Sequence, residues 1–304
     1  MQKQFKNLIE LFDYFKDDDT CKQFLAEQRW GKNVTCPHCG HNKVYVTNRG
    51  YKCAAKTCYK KFSATVGTVY ENSKVPLRTW FAAMYLVTAH KKGISSLQLS
   101  RDLGITQKTA WFVLHRVREM VKIKAPNKLR NVVEVDETYV GGKNKNRHAD
   151  KKILHSQGRS AKDKTPVLGA MQRGGVVHTF VVKDTSGATL KPILDNVVKQ
   201  GSVMVTDEWR SYDCLNKDYY HVVINHQQEE YVRGAFHTNS IEGFWSLLKR
   251  GIYGIYHNVS PKHLQRYCEE FSYRYNTRDI KDSERFEFTV ANCEGRLKYA
   301  DLIA

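Results

Sequence analysis

Cys36-Pro37-His38-Cys39 and Cys53-Ala54-Ala55-Lys56-Thr57-Cys58 form a C-x2-C and a C-x4-C pair with thirteen residues between them. No other feature narrows the possible fold so far. Zinc takes four soft ligands in a tetrahedron, and each short spacing lets one tight turn offer two thiolates to the same ion. Val44 to Val46 and Tyr51 to Cys53 read as strands on either side of Thr47-Asn48-Arg49-Gly50, a hairpin that brings the two pairs together. The expectation is a structural Zn2+ site of Cys36, Cys39, Cys53 and Cys58, closed because protein fills all four positions. Its chelation should unfold residues 36–62. His38 and His41 lie near enough to compete, but four thiolates already complete the set. Cys21, Cys214, Cys268 and Cys293 are scattered and read as structural or inert.

The rest of the chain is basic. Its 304 residues carry 49 Lys+Arg against 31 Asp+Glu, a formal charge of +18, which implies a polyanionic partner. The longest apolar stretch, Trp80 to Ala89, is about half of the ~20 residues a membrane span needs, and no basic-then-apolar leader opens the chain. Reduced cysteines and a cytoplasmic location are therefore expected. Phe5, Leu8, Ile9, Phe12 and Phe15 recur at helical spacing, and Asp19 or Thr20 is a candidate cap for a second short helix carrying Phe24 and Leu25.

Three helical patterns come after Pro76. Residues 91–130 hold ten Lys/Arg against two Asp/Glu. Ile94 to Thr106 has the form of helix, glycine turn and new N-cap, and a second helix runs from Gln107 to Lys122. At 100° per residue, Ala110, Val113, Leu114, Val117, Met120 and Val121 share one face. Lys108, Trp111, Phe112, His115 and Lys122 gather opposite, with Arg116 and Arg118 on the flanks. Such a face suits a major groove and its phosphates. Ala125-Pro126-Asn127-Lys128 is the natural linker to the carboxyl-terminal half of the chain.

Beyond that linker the texture alternates between strand and helix. Val132 to Asp136 reads as a short strand ending on a carboxylate, and Val167 to Met171 and Val176 to Val182 as two more. The segment Gly141 to Thr165, with eight Lys/Arg, reads as a mobile basic loop. A helix from Leu190 to Gln200 leads to Val203 to Thr206, which ends on Asp207. Helices are expected at Ser240 to Arg250 and His263 to Arg274. Cleavage of a phosphodiester by two metal ions needs carboxylates converging on cations ~3.5–4 Å apart. Asp136, Asp207 and Glu242 are the candidates. Lys249 lies seven residues after Glu242 on the same helix face, and with Arg250 can reach phosphates. Glu137 and Glu208 point to the opposite strand face if their strands continue.

Three blocks carry a resemblance. They are Val135-Asp136-Glu137-Thr138-Tyr139-Val140-Gly141-Gly142, Thr206-Asp207-Glu208-Trp209-Arg210-Ser211-Tyr212, and His237-Thr238-Asn239-x-x-Glu242-x-x-Trp245-x-x-x-Lys249-Arg250-Gly251. Together with the cysteine cluster they resemble bacterial insertion-sequence transposases with a DDE triad, of the ISXO2-like group that carries a zinc ribbon and a helix-turn-helix. The resemblance implies an α/β, multi-domain chain whose catalytic domain is RNase-H-like, with a mixed central sheet. The division expected is a helical segment at 1–35, zinc ribbon at 36–70, helix-turn-helix at 71–125, catalytic domain at 131–285 and a tail at 286–304. It further implies binding of the element's terminal inverted repeats, hydrolysis of their ends with Mg2+ or Mn2+, and transfer of the freed 3′ hydroxyls to target DNA. The active form would be at least a dimer on double-stranded DNA, associated with the bacterial nucleoid. Asp136, Asp207 and Glu242 become the metal ligands, although Asn239, three residues before Glu242, competes for the third place because the group uses either residue type there. A DNA-binding regulator without chemistry fits the amino-terminal half equally well, and only the carboxylate set argues against it.

Overall fold

The structure is a computed structural model and describes residues 5–123, 127–142, 148–153 and 163–304. Most of the basic loop between Gly141 and Thr165, and part of the linker at 125–128, lie outside the described residues. The chain forms two compact units, residues 1–121 with 279–304, and residues 122–278.

In the first unit, α1 (Leu8–Tyr14) and α2 (Asp18–Trp30) precede the ribbon strands β1 (Val44–Thr47), β2 (Gly50–Cys53) and β3 (Lys61–Phe62). The cap of α2 is Asp17, whose carboxylate accepts from the Thr20 N–H at 2.7 Å, rather than Asp19 or Thr20. A side chain at this position satisfies an amide that the helix cannot. Helices α3 (Leu77–Ala89), α4 (Ser96–Leu103) and α5 (Gln107–Met120) come next, as the sequence suggests. Gly104 closes α4 at φ 63°, a left-handed conformation, and Thr106 caps α5 through the Thr109 N–H. Edge-to-face aromatic pairs tie the core together, with Phe15 4.8 Å from Phe81 and Phe81 5.4 Å from Phe286.

Phe286 belongs to α9 (Asp282–Ala291), and α10 (Tyr299–Ile303) comes after it. The structure therefore differs from the expected tail at 286–304. Phe286, Val290 and Cys293 are fully buried in the core of the amino-terminal unit, so packing groups residues 279–304 with that unit.

The second unit is built on a mixed five-stranded sheet in the order β6-β5-β4-β7-β8. Strand β4 (Val132–Val140) pairs antiparallel with β5 (Thr165–Gln172), which pairs antiparallel with β6 (Val177–Val181). On its other side β4 runs parallel to β7 (Val203–Asp207), and β7 runs parallel to β8 (Tyr220–Ile224). Strand β8 has no counterpart in the sequence reading. Helix α6 (Gly187–Val197) and the 3₁₀ segment Arg210–Lys217 pack on one face with Val133, Val135, Leu168 and Met204. Helices α7 (Asn239–Gly251) and α8 (Pro261–Asn276) pack on the other, with Val167, Met171, Trp245 and Phe271. This mixed central sheet, covered by helices on both faces, is the α/β architecture expected for the catalytic domain. Because side chains alternate along a strand, Val133, Val135 and Glu137 face α6, while Glu134, Asp136 and Thr138 face α7.

Candidate active site and zinc centre

Asp136 is not at a strand end. Strand β4 continues to Val140, but its parallel ladder with β7 has its last pair at Glu134 and Val205. Asp136 and Asp207 each lie two residues beyond that pair, so the two carboxylates come side by side where the ladder opens. Helix α7 brings Glu242 and Lys249 to the same place. A cleft of about 560 Å³ is lined by Asp136, Asp207, Glu242, Lys249, His226 and Trp245, among others. Asn239 is exposed in the first turn of α7 and is not among the lining residues.

Neighbours hold each carboxylate. The Trp245 indole N–H donates to Asp136 Oδ2 at 3.0 Å, the Trp209 backbone N–H to Asp207 Oδ1 at 3.1 Å, and the Thr238 hydroxyl to Glu242 Oε1 at 2.7 Å. His226 Nε2 stands 3.8 Å from the same Glu242 oxygen. Burial pushes the Asp136 carboxyl up, and the charges of Glu137, Asp207 and Glu242 add to it, bringing it to about 7. A cluster that resists its own ionisation in this way is stabilised by cations. Burial also lowers the Lys249 ammonium, against the pull of Asp136. Glu137 turns to the α6 face, as its place in the strand requires, and accepts a 2.6 Å bond from the buried Tyr212 hydroxyl.

Trp245 reaches Asp136 only because β5 has glycine opposite it. Gly169 pairs with Asp136, and a Cβ there would lie 2.5 Å from the indole Cζ2. Gly169→Ala is expected to displace the ring and destabilise the unit by about 1–3 kcal/mol, as overpacking does. An unchanged melting midpoint with unchanged tryptophan fluorescence would contradict this close fit.

Sequence reasoning missed Glu134. Its side chain is fully buried and receives the Ser240 N–H at 3.0 Å, the Ser240 hydroxyl at 2.9 Å and the Ile241 N–H at 3.1 Å. The carboxylate thus occupies the amino terminus of α7, where free amides and the helix dipole favour an anion. Arg173 donates to it at 3.1 Å, to the His237 carbonyl at 2.9 Å, and to the Ala235 carbonyl. Glu134 and Arg173 therefore fix where α7 begins, and so where Glu242 stands. In the sequence Glu134 is indistinguishable from an ordinary outward-facing position of an alternating strand.

In the first unit the four cysteine sulfurs lie within 4.8 Å of one another. Cys36 and Cys58 are 3.9 Å apart, Cys39 and Cys53 3.6 Å. A tetrahedron with Zn–S of about 2.3 Å has edges of about 3.8 Å, so this donor set fits zinc. Burial raises the Cys36 thiol, but the His38 and Cys39 backbone N–H groups and the neighbouring thiols outweigh it and bring it down to about 7.

The expected groove-reading face of α5 is corrected by burial. His115, Arg116 and Arg118 are all buried. Residues near the carboxyl terminus lie across this face: Arg116 donates to the Leu297 carbonyl at 3.1 Å, and the Tyr299 ring sits 5.4 Å from Phe112. Trp111 is half-buried against His115. Lys108, whose ammonium lies 5.1 Å from the centre of the Tyr299 ring, remains exposed, as does Lys122. In the second unit Arg250 is exposed and Lys249 half-buried.

Known proteins resemble the chain in both units. The ISXO2-like transposase domain matches residues 128–276, and a transposase zinc-ribbon domain matches residues 16–61. A Halobacterium salinarum protein, described as an uncharacterized protein in transposable element ISH50, is 31% identical over 274 residues, covering 86% of this chain and 91% of its own. The chain belongs to the ISXO2-like transposase family. An uncharacterized transposase-like protein of Haemophilus influenzae is 34% identical to this family member over 106 residues, 34% of this chain and 85% of its own. A chain of the Mos1 strand transfer complex aligns with 75% of this transposase-family chain and 82% of its own at 14% identity; the TM-score of 0.24 is too low to bear on the fold. Among the described residues no helix is long and apolar enough to cross a membrane.

Proposed function

We propose that the protein is a DNA transposase that binds the terminal inverted repeats of its element, hydrolyses the phosphodiester at each end and joins the freed 3′ hydroxyls to target DNA. One observation carries this reading. Three acidic side chains and a lysine, drawn from three separated sequence blocks, line a single cleft where the parallel ladder of the sheet opens. A DNA-binding regulator would have no use for that convergence.

In this reading Asp136, Asp207 and Glu242 hold the divalent ions, Mg2+ or Mn2+. When bound, these supply Lewis-acid stabilisation of the attacking and leaving oxygens. The protein's own part is placement. Trp245 and Thr238 fix the two carboxylates they touch, so that little rearrangement is needed as charge develops. Lys249, beside Asp136, meets a phosphate oxygen of the DNA. Asn239, outside the cleft lining, is left to contact DNA, and Glu242 is the third ligand. Zn2+ on Cys36, Cys39, Cys53 and Cys58 is structural. The active form is at least a dimer, because two element ends must be processed together.

The test uses the intact protein, a duplex carrying the terminal repeat and a supercoiled target, with Mg2+ or Mn2+. Nicks that leave 3′ hydroxyls at the repeat boundary, and then joined products, are expected. Sequence-specific binding with neither product would instead establish the regulator.

A further inference from the structure

The outer face of the zinc ribbon belongs to no part of the site described above. Strand register places Tyr45 opposite Lys52, and Lys52 opposite Lys61, so these three side chains form one row across all three strands. The adjacent row, Val46, Tyr51 and Phe62, alternates to the other face. There Tyr51 and Phe62 pack on Trp30, with ring centres 5.6 and 6.0 Å away. Tyr51 and Phe62 thus face the core, although Val46, at the hairpin end of the same row, is 81% exposed, and the other row turns outward with Lys52 half-buried.

The outward row is wet and cationic. Tyr45 is 50% exposed, Lys61 is exposed, and Tyr59 at 55% exposure holds the Lys52 ammonium 3.5 Å above its ring. That contact orients a cation beside an aromatic plane without neutralising it. Between Cys36 and Phe62 the chain has six Lys or Arg and no Asp or Glu. A solvated surface normally mixes both signs, and a run of one sign on a small metal-held sheet costs self-repulsion. On α5, by contrast, three of the expected cations are buried.

We propose that this face, through Lys52, Lys61 and Tyr45, is a docking surface for the phosphate backbone of duplex DNA. The inference rests on the transposase reading and extends it to a surface outside both α5 and the cleft. The row lies on rigid strands, so its ammonium groups and the Tyr45 hydroxyl meet phosphates without reading bases. The ribbon would grip DNA independently of sequence.

The test is the salt dependence of duplex binding by the full chain, wild type against Lys52→Ala/Lys61→Ala, with zinc content verified for each. Each phosphate contact contributes about 0.9 to the slope of log affinity against log salt. Two lost contacts should lower the slope by about 1.8, so that from about 50 to about 200 mM salt the wild type loses about 12-fold more affinity than the double variant. Lys52→Arg/Lys61→Arg should keep the wild-type slope. Unchanged slope and affinity in a zinc-replete alanine variant would overturn the ribbon proposal alone. Failure of the wild type to bind duplex DNA would overturn the transposase reading with it. Lysine-dependent binding confined to single-stranded RNA would overturn the choice of partner.

Discussion

Asp136→Asn is expected to abolish strand cleavage, keep DNA binding, and stabilise the protein in the absence of added Mg2+ or Mn2+. In the folded chain this carboxyl stands at about 7, raised by burial and by Glu137, Asp207 and Glu242. In an unfolded chain it titrates at about 3.9. Between those values the folded state binds more protons than the unfolded state, so stability falls as pH rises from about 4 to about 7. Above about 7 the whole cost is present, up to about 4 kcal/mol for a shift of about three units. An amide of the same shape removes the charge and can still accept from Trp245. Thermal melts should therefore show a gain at about pH 8 that shrinks towards about pH 4. Cleavage should fall at least about 10³-fold, because a lost ligand removes several kcal/mol of transition-state stabilisation. Asp207→Asn and Glu242→Gln should match that loss in activity, and Asn239→Ala should not. Retained cleavage, or an equal gain in stability at both pH values, would sink the assignment of Asp136 as a metal-binding group.

Local rules made much of this molecule legible. Two cysteine spacings and a turn-forming tetrapeptide indicate the ribbon, and β1 and β2 fall at Val44–Thr47 and Gly50–Cys53 as they suggest. Thr106 and Gly104 mark the helix boundaries around the turn between α4 and α5 because capping is a matter of a few neighbouring residues. What sequence periodicity does not carry is the identity of whatever covers a face. The period of α5 separates its two sides correctly, yet Arg116 is sealed by Leu297, 181 residues further along. Glu134 looks like ordinary outward alternation in β4, because its partners at Ser240 and Ile241 are more than a hundred residues away. Asp136 reads as a strand end for a related reason: the strand continues against β5, and only the ladder with β7 stops. That distinction decides the site, since a ladder that opens beside a continuing strand exposes two carboxylates together on one rigid sheet.

Cys53→Ser is expected to unfold the ribbon and leave the helical core of its unit intact. The ribbon buries only Cys36, Cys53 and Phe62 fully, with a few half-buried neighbours such as Trp30, Val44 and Tyr51, and β3 is two residues long. So small a core cannot offset ordering costs of about 1–2 kcal/mol per residue. A structural zinc supplies roughly 10–16 kcal/mol of apparent binding energy, which becomes folding energy when the apo segment is disordered. Cys53 also sits at the centre of the segment, with its N–H on the Lys60 carbonyl and its strand paired on both edges. Without its thiolate the ion loses a quarter of its ligands and the turns lose the group that joins them. Amide exchange is the direct measure. Protection in Val44–Thr47 and Gly50–Cys53 should disappear, whereas that of Leu77–Ala89 should persist, because Trp80, Phe81 and Met84 are buried in an aromatic core the metal does not touch. Duplex binding by the same variant should show the shallower salt dependence of Lys52→Ala/Lys61→Ala, since an unfolded ribbon no longer presents those lysines on one row. Persistent protection of β1 and β2 in zinc-free protein would mean that the metal does not hold the fold of the ribbon. Loss of protection in α3 as well would mean that ribbon and helices unfold as one.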